Sequence, residues 1–399
     1  MGGFEAPVAI VGAGPVGLSA ALCLARRGIP TVILEANPQA DRRGSRAIRW
    51  ARPVLQVLSR LGCAAPLLEE GVSWSRERVL LGDEELFVRE ASSDSVSGEG
   101  LPAFLNVPQW RMEEVLWEAA LTCPLIDVRR SARVTAIEQG AQGVTVVAES
   151  RRLQASYAVG CDGARSTVRA LLGLPWLGHD YPTRFLIADV RAKLPFADER
   201  RFVFPRGRPE QVMFMPQPDN VWRIDWPVGP YVDLDAECAD GGLEERLRAF
   251  IPPGTPYELV WVSSYRFHCR RTPTMRLGRV FLAGDAAHTM SPFGGRGANS
   301  GILDAVTLAD AFARLLASSP REDDSRLDAW NQARCTAAER NLAASNSAMR
   351  FMVPPTPADQ MRRDSILQAS RTDVKERSQV NTGTPFDEIV PDELLAALA

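Results

Sequence analysis

Three short segments of this 399-residue chain have residue types and spacings that could do chemistry. The first is Val11-Gly12-Ala13-Gly14-Pro15-Val16-Gly17, which directly follows the apolar run Val8 to Val11. Such a run predicts a buried parallel strand, and glycines spaced G-x-G-x-x-G behind it predict a phosphate cradle. Gly12 permits the tight turn, Gly14 lets backbone approach a pyrophosphate, and Gly17 lets helix and strand pack closely. Leu18, Ala21, Leu22 and Ala25 then recur at helical spacing, with Gly28 as the stop. A second strand, Thr31 to Leu34, ends in Glu35, whose carboxylate can accept from a ribose 2′-OH. The second segment is Cys161-Asp162-Gly163-Ala164-Arg165-Ser166, behind a strand expected from Tyr157. The third is Gly278 to His288, containing Gly284-Asp285-Ala286-Ala287-His288. A carboxylate buried at a strand end, as expected for Asp285, is costly unless hydrogen-bond donors surround it.

Beyond the third segment comes Ser291-Pro292-Phe293-Gly294-Gly295-Arg296-Gly297-Ala298-Asn299. Ile302, Val306, Ala309, Ala313 and Leu316 then mark a helix face. A glycine-rich loop therefore feeds a helix N-terminus, with free N–H groups and a positive dipole end.

The elements that must position these segments alternate strand and helix, which predicts an α/β fold. Between 176 and 272 the pattern changes to short strands: Arg201 to Phe204, Gln211 to Met215 and Val221 to Trp226. Proline-rich turns at Pro205 to Pro209 and Pro216 to Asn220 separate them. In the last of these, Trp222, Ile224 and Trp226 share one face, and Arg223 and Asp225 the other. The apolar face suits either covering a flat ligand or packing on a core. Tyr265 and Phe267 alternate in the same way, just ahead of the third segment. Ala91 to Gly100 is small and polar and reads as a loop, while Leu327 to Phe351 and Pro357 to Ser370 read as helices.

Composition narrows the class. Apolar content of 45% with 24% charged residues is that of a soluble globular protein, and the expected location is the cytoplasm. A net charge of −3 without a basic stripe argues against a nucleic-acid partner. No stretch of about 18 apolar residues predicts a membrane span. Seven scattered cysteines without a C-x-x-C suit reduced thiols, and His179, His268 and His288 lie too far apart in sequence for a metal site. No G-x-S-x-G elbow is present, so hydrolysis has no visible machinery. No catalytic residue is assigned from the sequence.

The glycine fingerprint alone does not separate NAD from FAD. All three segments in this order resemble the single-component FAD-dependent aromatic monooxygenases of the para-hydroxybenzoate hydroxylase fold, over roughly residues 5 to 355. The likeness is weakest over 74–100 and 180–260. It implies a discontinuous Rossmann-like FAD domain from 1–73, 101–175 and 275–345. An inserted, mostly β-sheet substrate domain from 74–100 and 176–274 and a helical segment from 346–399 complete it, with no thioredoxin-like domain. It further implies one non-covalent FAD and transient NADPH or NADH. Asp162 and Gly163 would lie near the FAD pyrophosphate and the nicotinamide route, Asp285 on the ribitol, and Pro292, Gly294, Gly297, Ala298 and Asn299 at the flavin pyrimidine edge. Ala36, Arg46 (in Gly44-Ser45-Arg46-Ala47), Gln109 (after Pro108) and Val134 are implied as further cofactor contacts. Departures are Ser291 for a frequent proline, Arg296 for glutamine or lysine, and Arg52-Pro53-Val54 where Arg-Thr is usual.

The cycle so implied has NAD(P)H reduce FAD, O2 add at flavin C4a, and the hydroperoxide oxygenate an electron-rich ring. Trp222, Ile224, Trp226, Tyr265 and Phe267 are the expected substrate contacts. The expected partners are a small aromatic molecule and O2, in a monomer or homodimer. Two other readings stay open: another flavin oxygenation, such as epoxidation, Baeyer–Villiger insertion or inactivation of a polyketide drug, and a non-catalytic FAD-bound interaction protein. A halogenase is disfavoured because Trp-x-Trp-x-Ile-Pro is missing.

Overall fold

The computed structural model describes residues 6–39, 47–90, 100–149, 151–196, 199–206, 211–317, 324–383 and 385–398. Arg46, nearly all of the Ala91–Gly100 loop and most of the Pro205–Pro209 turn lie outside the described residues.

The apolar run Val8–Val11 is the inner strand of a six-stranded sheet, fully buried as a run without alternation must be. It pairs in parallel with Tyr157–Gly160 on one side and Thr31–Leu34 on the other. Val280–Leu282 and Ile126–Arg129 extend the parallel set, and Arg276–Leu277 closes one edge antiparallel. This order puts Gly12, Glu35, Asp162 and Asp285, each just beyond a strand end, along one rim of the sheet. The helix Pro15–Arg26 opens with proline in its first turn and ends two residues before the left-handed Gly28. The long helix Gly297–Ala317 packs beside it, with Ile302, Val306, Leu308, Phe312 and Leu315 buried in the same core.

The second large sheet has eight strands among the described residues. In order they are His288–Thr289, Glu258–Arg271, Leu177–Arg191, Val221–Val228, Val212–Gln217, Arg200–Phe204, Arg76–Leu81 and Glu84–Glu90. Segments before and after the central part of the chain thus share one sheet. Its pairs are antiparallel except Arg200–Phe204 against Arg76–Leu81. The tail is helical, but one helix, Ser325–Met352, runs straight through the boundary expected at 345.

The two faces of this sheet have different neighbours. One face carries Leu186, Ala188, Val190, Val212, Phe214, Trp222, Ile224 and Trp226, which pack with Leu243, Leu247 and Ile251 from the short helix Gly242–Arg248 and its exit. This corrects the expectation that Trp222, Ile224 and Trp226 cover a substrate. Their side chains are 2–5% exposed or fully buried in a core of their own, on the side opposite Arg223 and Asp225. The physical reason is coverage: a large apolar strand face needs a lid of its own, and here helices supply it. Trp222→Ala is therefore expected to cost about 3–5 kcal/mol of stability while FAD affinity is kept. Denaturant unfolding with a parallel flavin titration checks this; a stable variant that has lost FAD would contradict it.

Candidate active site

A cavity of about 620 Å³ lies between the rim of the parallel sheet and the other face of the mixed sheet. At the rim, Gly12 has φ +100°, and a Cβ there would sit 2.6 Å from the Cys161 carbonyl oxygen. A Cβ on Gly17 would lie 2.0 Å from the Gly12 oxygen, so the helix packs this close to the turn only with glycine. Gly14, by contrast, has nothing within 4 Å of that position. Its backbone opens to the cavity at the start of the helix, where uncapped N–H groups attract an anion.

Glu35 sits on the cavity wall with Ala36. Its carboxylate accepts from the N–H of Ala13 at 2.9 Å and of Asn37 at 2.7 Å. Each oxygen keeps lone-pair capacity for a hydroxyl. Asp162 also lines the cavity but is engaged locally. It accepts from Ser166 Oγ at 2.5 Å and from the N–H groups of Thr167 and Val168, opening the helix Thr167–Leu171. Gly163 and Val134 are on the same wall. Asp285 stands in the single 3₁₀ turn Gly284–Ala286 at the cavity edge, well before the long helix starts at Gly297. Gln109 opens the helix Gln109–Thr122 and reaches Glu113 Oε1 at 2.8 Å, while its N–H donates to the Ala47 carbonyl.

The loop before the long helix contributes Ser291, Pro292, Gly295, Arg296, Gly297, Ala298 and Asn299 to the cavity. Gly294 does not line it. Its amide packs under Gly383, where a Cβ would come within 2.4 Å, so the tail takes the contact expected for the ligand. Gly17 likewise serves packing alone. Asn299 bridges elements: Oδ1 accepts from the Ala51 N–H and Nδ2 donates to the Arg49 and Gly295 carbonyls. Ser291 is tied to Ser345, and Arg296 donates to Asn341, Asp387 and the Pro385 carbonyl. These two of the three departures from the family pattern thus also make contacts with the tail.

The opposite wall comes from the polar face of the mixed sheet. Ile187, Met213, Met215, Tyr265 and Phe267 give it an apolar floor, so Tyr265 and Phe267 are at the cavity although the tryptophans are not. Set in this floor are Arg200, Arg223 and Asp225, none more than 6% exposed. Arg223 makes a bidentate pair with Asp189, at 2.9 and 2.8 Å. Asp225 sits between Ile187 and Met213 in the strand register, and its Oδ1 is buried without a hydrogen-bond partner among the described residues. Burial pushes its carboxyl up to about 7, against the pull of Arg223 and Arg200 and with the help of Asp189. Sequence reasoning placed Arg223 and Asp225 on one face, but took the apolar face for the ligand side. The available signal was a charged pair alternating inside a hydrophobic strand, which is costly unless it serves a site. Arg49 and Arg200 carried no such signal. Among the described residues no cluster of histidine, cysteine, aspartate or glutamate is arranged to hold a metal ion, and no helix is long and apolar enough to cross a membrane.

Comparisons with known proteins agree with this geometry. A family model described as an FAD binding domain matches residues 5–345. The 6-hydroxy-3-succinoylpyridine 3-monooxygenase HspB of Pseudomonas putida is 33% identical over 332 residues, 79% of this chain and 81% of that protein. The para-nitrophenol 4-monooxygenase of a Pseudomonas species is 29% identical over 378 residues, 92% of each chain. The crystal structure of p-nitrophenol 4-monooxygenase PnpA from Pseudomonas putida DLL-E4 superposes with a TM-score of 0.81 at 27% identity, over 95% of this chain and 97% of that one. With the cradle, the acids on the sheet rim and these likenesses together, the chain belongs to the family of single-component, FAD-dependent aromatic monooxygenases.

Proposed function

We propose that this chain hydroxylates a phenolic or related aromatic ring, with NAD(P)H as electron donor and O2 as oxygen donor. The observation that carries this reading is one cavity with an anion-attracting cradle on one wall and a buried, hydrogen-bond-hungry carboxyl on the other. The substrates for which these relatives are named, a hydroxylated pyridine and a nitrophenol, are rings of this kind.

The residues present fit FAD. The cradle at Gly12 and Gly14 takes the pyrophosphate, and Glu35 with Ala36 takes the adenosine ribose. Asp162 and Gly163 would lie near the pyrophosphate and the nicotinamide route, Val134 and Gln109 would be further contacts, Asp285 would meet the ribitol, and Pro292, Gly297, Ala298 and Asn299 would flank the ring. In this reading the parallel sheet with its helices is the cofactor domain and the eight-stranded sheet the substrate domain. When bound, FAD supplies the electron transfer and oxygen activation. The chain itself binds, orients and excludes water. Ile187, Met213, Met215, Tyr265 and Phe267 hold the substrate ring by dispersion and aromatic contact and keep the space dry. Asp225 accepts the ring hydroxyl's hydrogen at Oδ1, and Arg223, itself fixed by Asp189, offsets the negative charge. A ring oxygen relieved of its proton makes the ring more electron-rich, which is what electrophilic oxygenation needs.

Purified protein should be yellow, release its flavin on acid denaturation, and convert a responsive phenol to a product carrying one atom from isotopically labelled O2, read by mass spectrometry. Consumption of NAD(P)H with no labelled product from any of a panel of phenols would refute the hydroxylase reading.

Asp285→Ala removes charge-assisted hydrogen bonds worth roughly 1.5–3 kcal/mol each. FAD affinity should fall by about tenfold or more, since about 1.4 kcal/mol is one decade. A flavin titration with unchanged affinity would remove Asp285 from the ribitol.

Asp225 gives two pH signatures. With unsubstituted phenol, whose hydroxyl ionises near the tyrosine value of about 10, kcat/KM should rise through an apparent value near 7 as the carboxylate forms. Asp225→Asn should flatten that limb. The folded carboxyl ionises higher than the unfolded one, so its contribution to stability is full below about pH 4 and is lost as pH climbs through about 7. The Tm of Asp225→Asn relative to the parent should therefore rise between those limits. An unaltered kcat/KM profile in the variant would exclude Asp225 as the proton acceptor.

A further inference from the structure

A second cavity, of about 400 Å³, adjoins the first. Arg49 and Arg200 line both. Around the second cavity the buried side-chain atoms without a hydrogen-bond partner are all donors: Arg49 Nε and Nη1, Arg200 Nε and Trp74 Nε1. These three residues are 6%, 2% and 7% exposed. Four unsatisfied N–H groups around one space, with no unsatisfied acceptor among them, call for an oxyanion.

The carboxylates on the same wall are already committed. Glu77 accepts from Arg89 at 3.0 Å, from Thr382 Oγ1 at 2.7 Å and from Arg200 Nη1 at 3.4 Å. Glu388 pairs with Arg334 and Asn341, and Asp387 with Arg296. Arg49 has no carboxylate partner among the described residues. Its guanidinium lies 3.6 Å from the Phe104 ring centroid and 5.0 Å from that of Trp74, two rings stacked within 11° of parallel. That stack holds the planar cation in place while leaving its edge donors open. Burial, and then the positive charges of Arg200 and Arg296, hold the Arg49 guanidinium well below its ordinary value, against the pull of Glu77. An arriving anion relieves that penalty.

We propose that this second cavity is a carboxylate subsite, where Arg49, Arg200 and Trp74 seat the anionic side chain of an aromatic substrate whose ring occupies the main cavity. The inference rests on the hydroxylase reading for the ring's position. The shared guanidiniums make the link: a short side chain leaving the apolar floor beside Met213 meets Arg200, whose Nη2 lies 3.2 Å from the Met213 sulfur. Substrate choice would then be set by charge in the second cavity as well as by the shape of the first.

Equilibrium binding to the oxidised, FAD-bound protein tests this without turnover. The probes are 3-(3-hydroxyphenyl)propionate and its neutral counterpart 3-(3-hydroxyphenyl)propan-1-ol, followed by calorimetry and by perturbation of the flavin spectrum. The acid should bind at least about tenfold tighter than the alcohol, the scale of one charge-assisted bond. Arg49→Gln should erase that ratio while alcohol affinity and flavin content stay near the parent's. Trp74→Phe keeps the ring stack, removes one N–H, and should reduce the ratio by a smaller factor, so the test survives if Arg49→Gln does not fold. Equal binding of acid and alcohol by the parent, or a ratio unchanged in both variants, overturns the subsite. Benzoate should compete with the acid. Benzoate that binds alongside the acid, with no loss of the acid's affinity, would mean that the cavity holds a free anion and would also overturn the proposal. Protein that retains no flavin contradicts the cofactor reading instead, so the two failures are told apart.

Discussion

One buried carboxylate holds the site together. Asp304, fully enclosed in the long helix Gly297–Ala317, accepts from the Gly284 N–H at 3.0 Å, His288 Nε2 at 2.7 Å and Arg334 Nε at 2.6 Å. Burial alone would drive its carboxyl upward, but Arg334 and His288 outweigh burial and hold it below the ordinary range. The reciprocal holds for His288: burial opposes its charge, and Asp304 overcomes that and raises it. Arg334 goes on to Glu388 at 2.6 Å, which brings the tail into the same network. Such a network tolerates no missing partner, because each remaining charge would be stranded in low dielectric. It therefore fixes the turn carrying Asp285 against the helix whose N-terminus faces the cavity.

From that anchor the two walls of the site differ in how they are built. The rim of the parallel sheet presents mostly backbone: the turn at Gly12 to Gly14, the helix starts at Pro15 and Gly297, and acids placed by strand ends. Backbone donors cost little to preorganise, since strand and helix already fix them. The mixed sheet presents side chains. Its cavity face mixes Met213, Met215 and Phe267 with Arg200, Arg223 and Asp225; Arg223 is paired bidentately with Asp189 and Arg200 reaches Glu77. The unclosed polar atoms, Asp225 Oδ1 and Arg200 Nε, are where a ligand has something to satisfy.

The tail is part of this construction. Arg296 reaches Asn341, Asp387 and the Pro385 carbonyl, and Gly383 packs on the Gly294 amide. Segments far apart in the chain therefore close the wall behind the glycine-rich loop and border the second cavity. Two of the departures from the family pattern, Ser291 and Arg296, both join the tail and line the main cavity.

Much of this was legible in the order of residues alone. The strands at Val8–Val11, Thr31–Leu34 and Tyr157–Gly160 and the helix behind the glycines lie where local pattern puts them, because buried parallel strands and tight βα turns leave few residue choices. Alternation likewise sorted Trp222, Ile224 and Trp226 from Arg223 and Asp225. What alternation does not hold is which face meets which neighbour. That depends on the helix Gly242–Arg248 covering one side and the cofactor-side sheet the other, a matter of long-range packing. The same is true of Gly294, displaced from the cavity by a glycine 89 positions later, and of Arg49, whose lack of an ion-pair partner among the described residues arises only once Trp74, Phe104 and Arg200 are brought around it. Period and spacing are local quantities that a chain carries with it. Desolvation and the pairing of charges are properties of the assembled interior, so only the tertiary structure decides them.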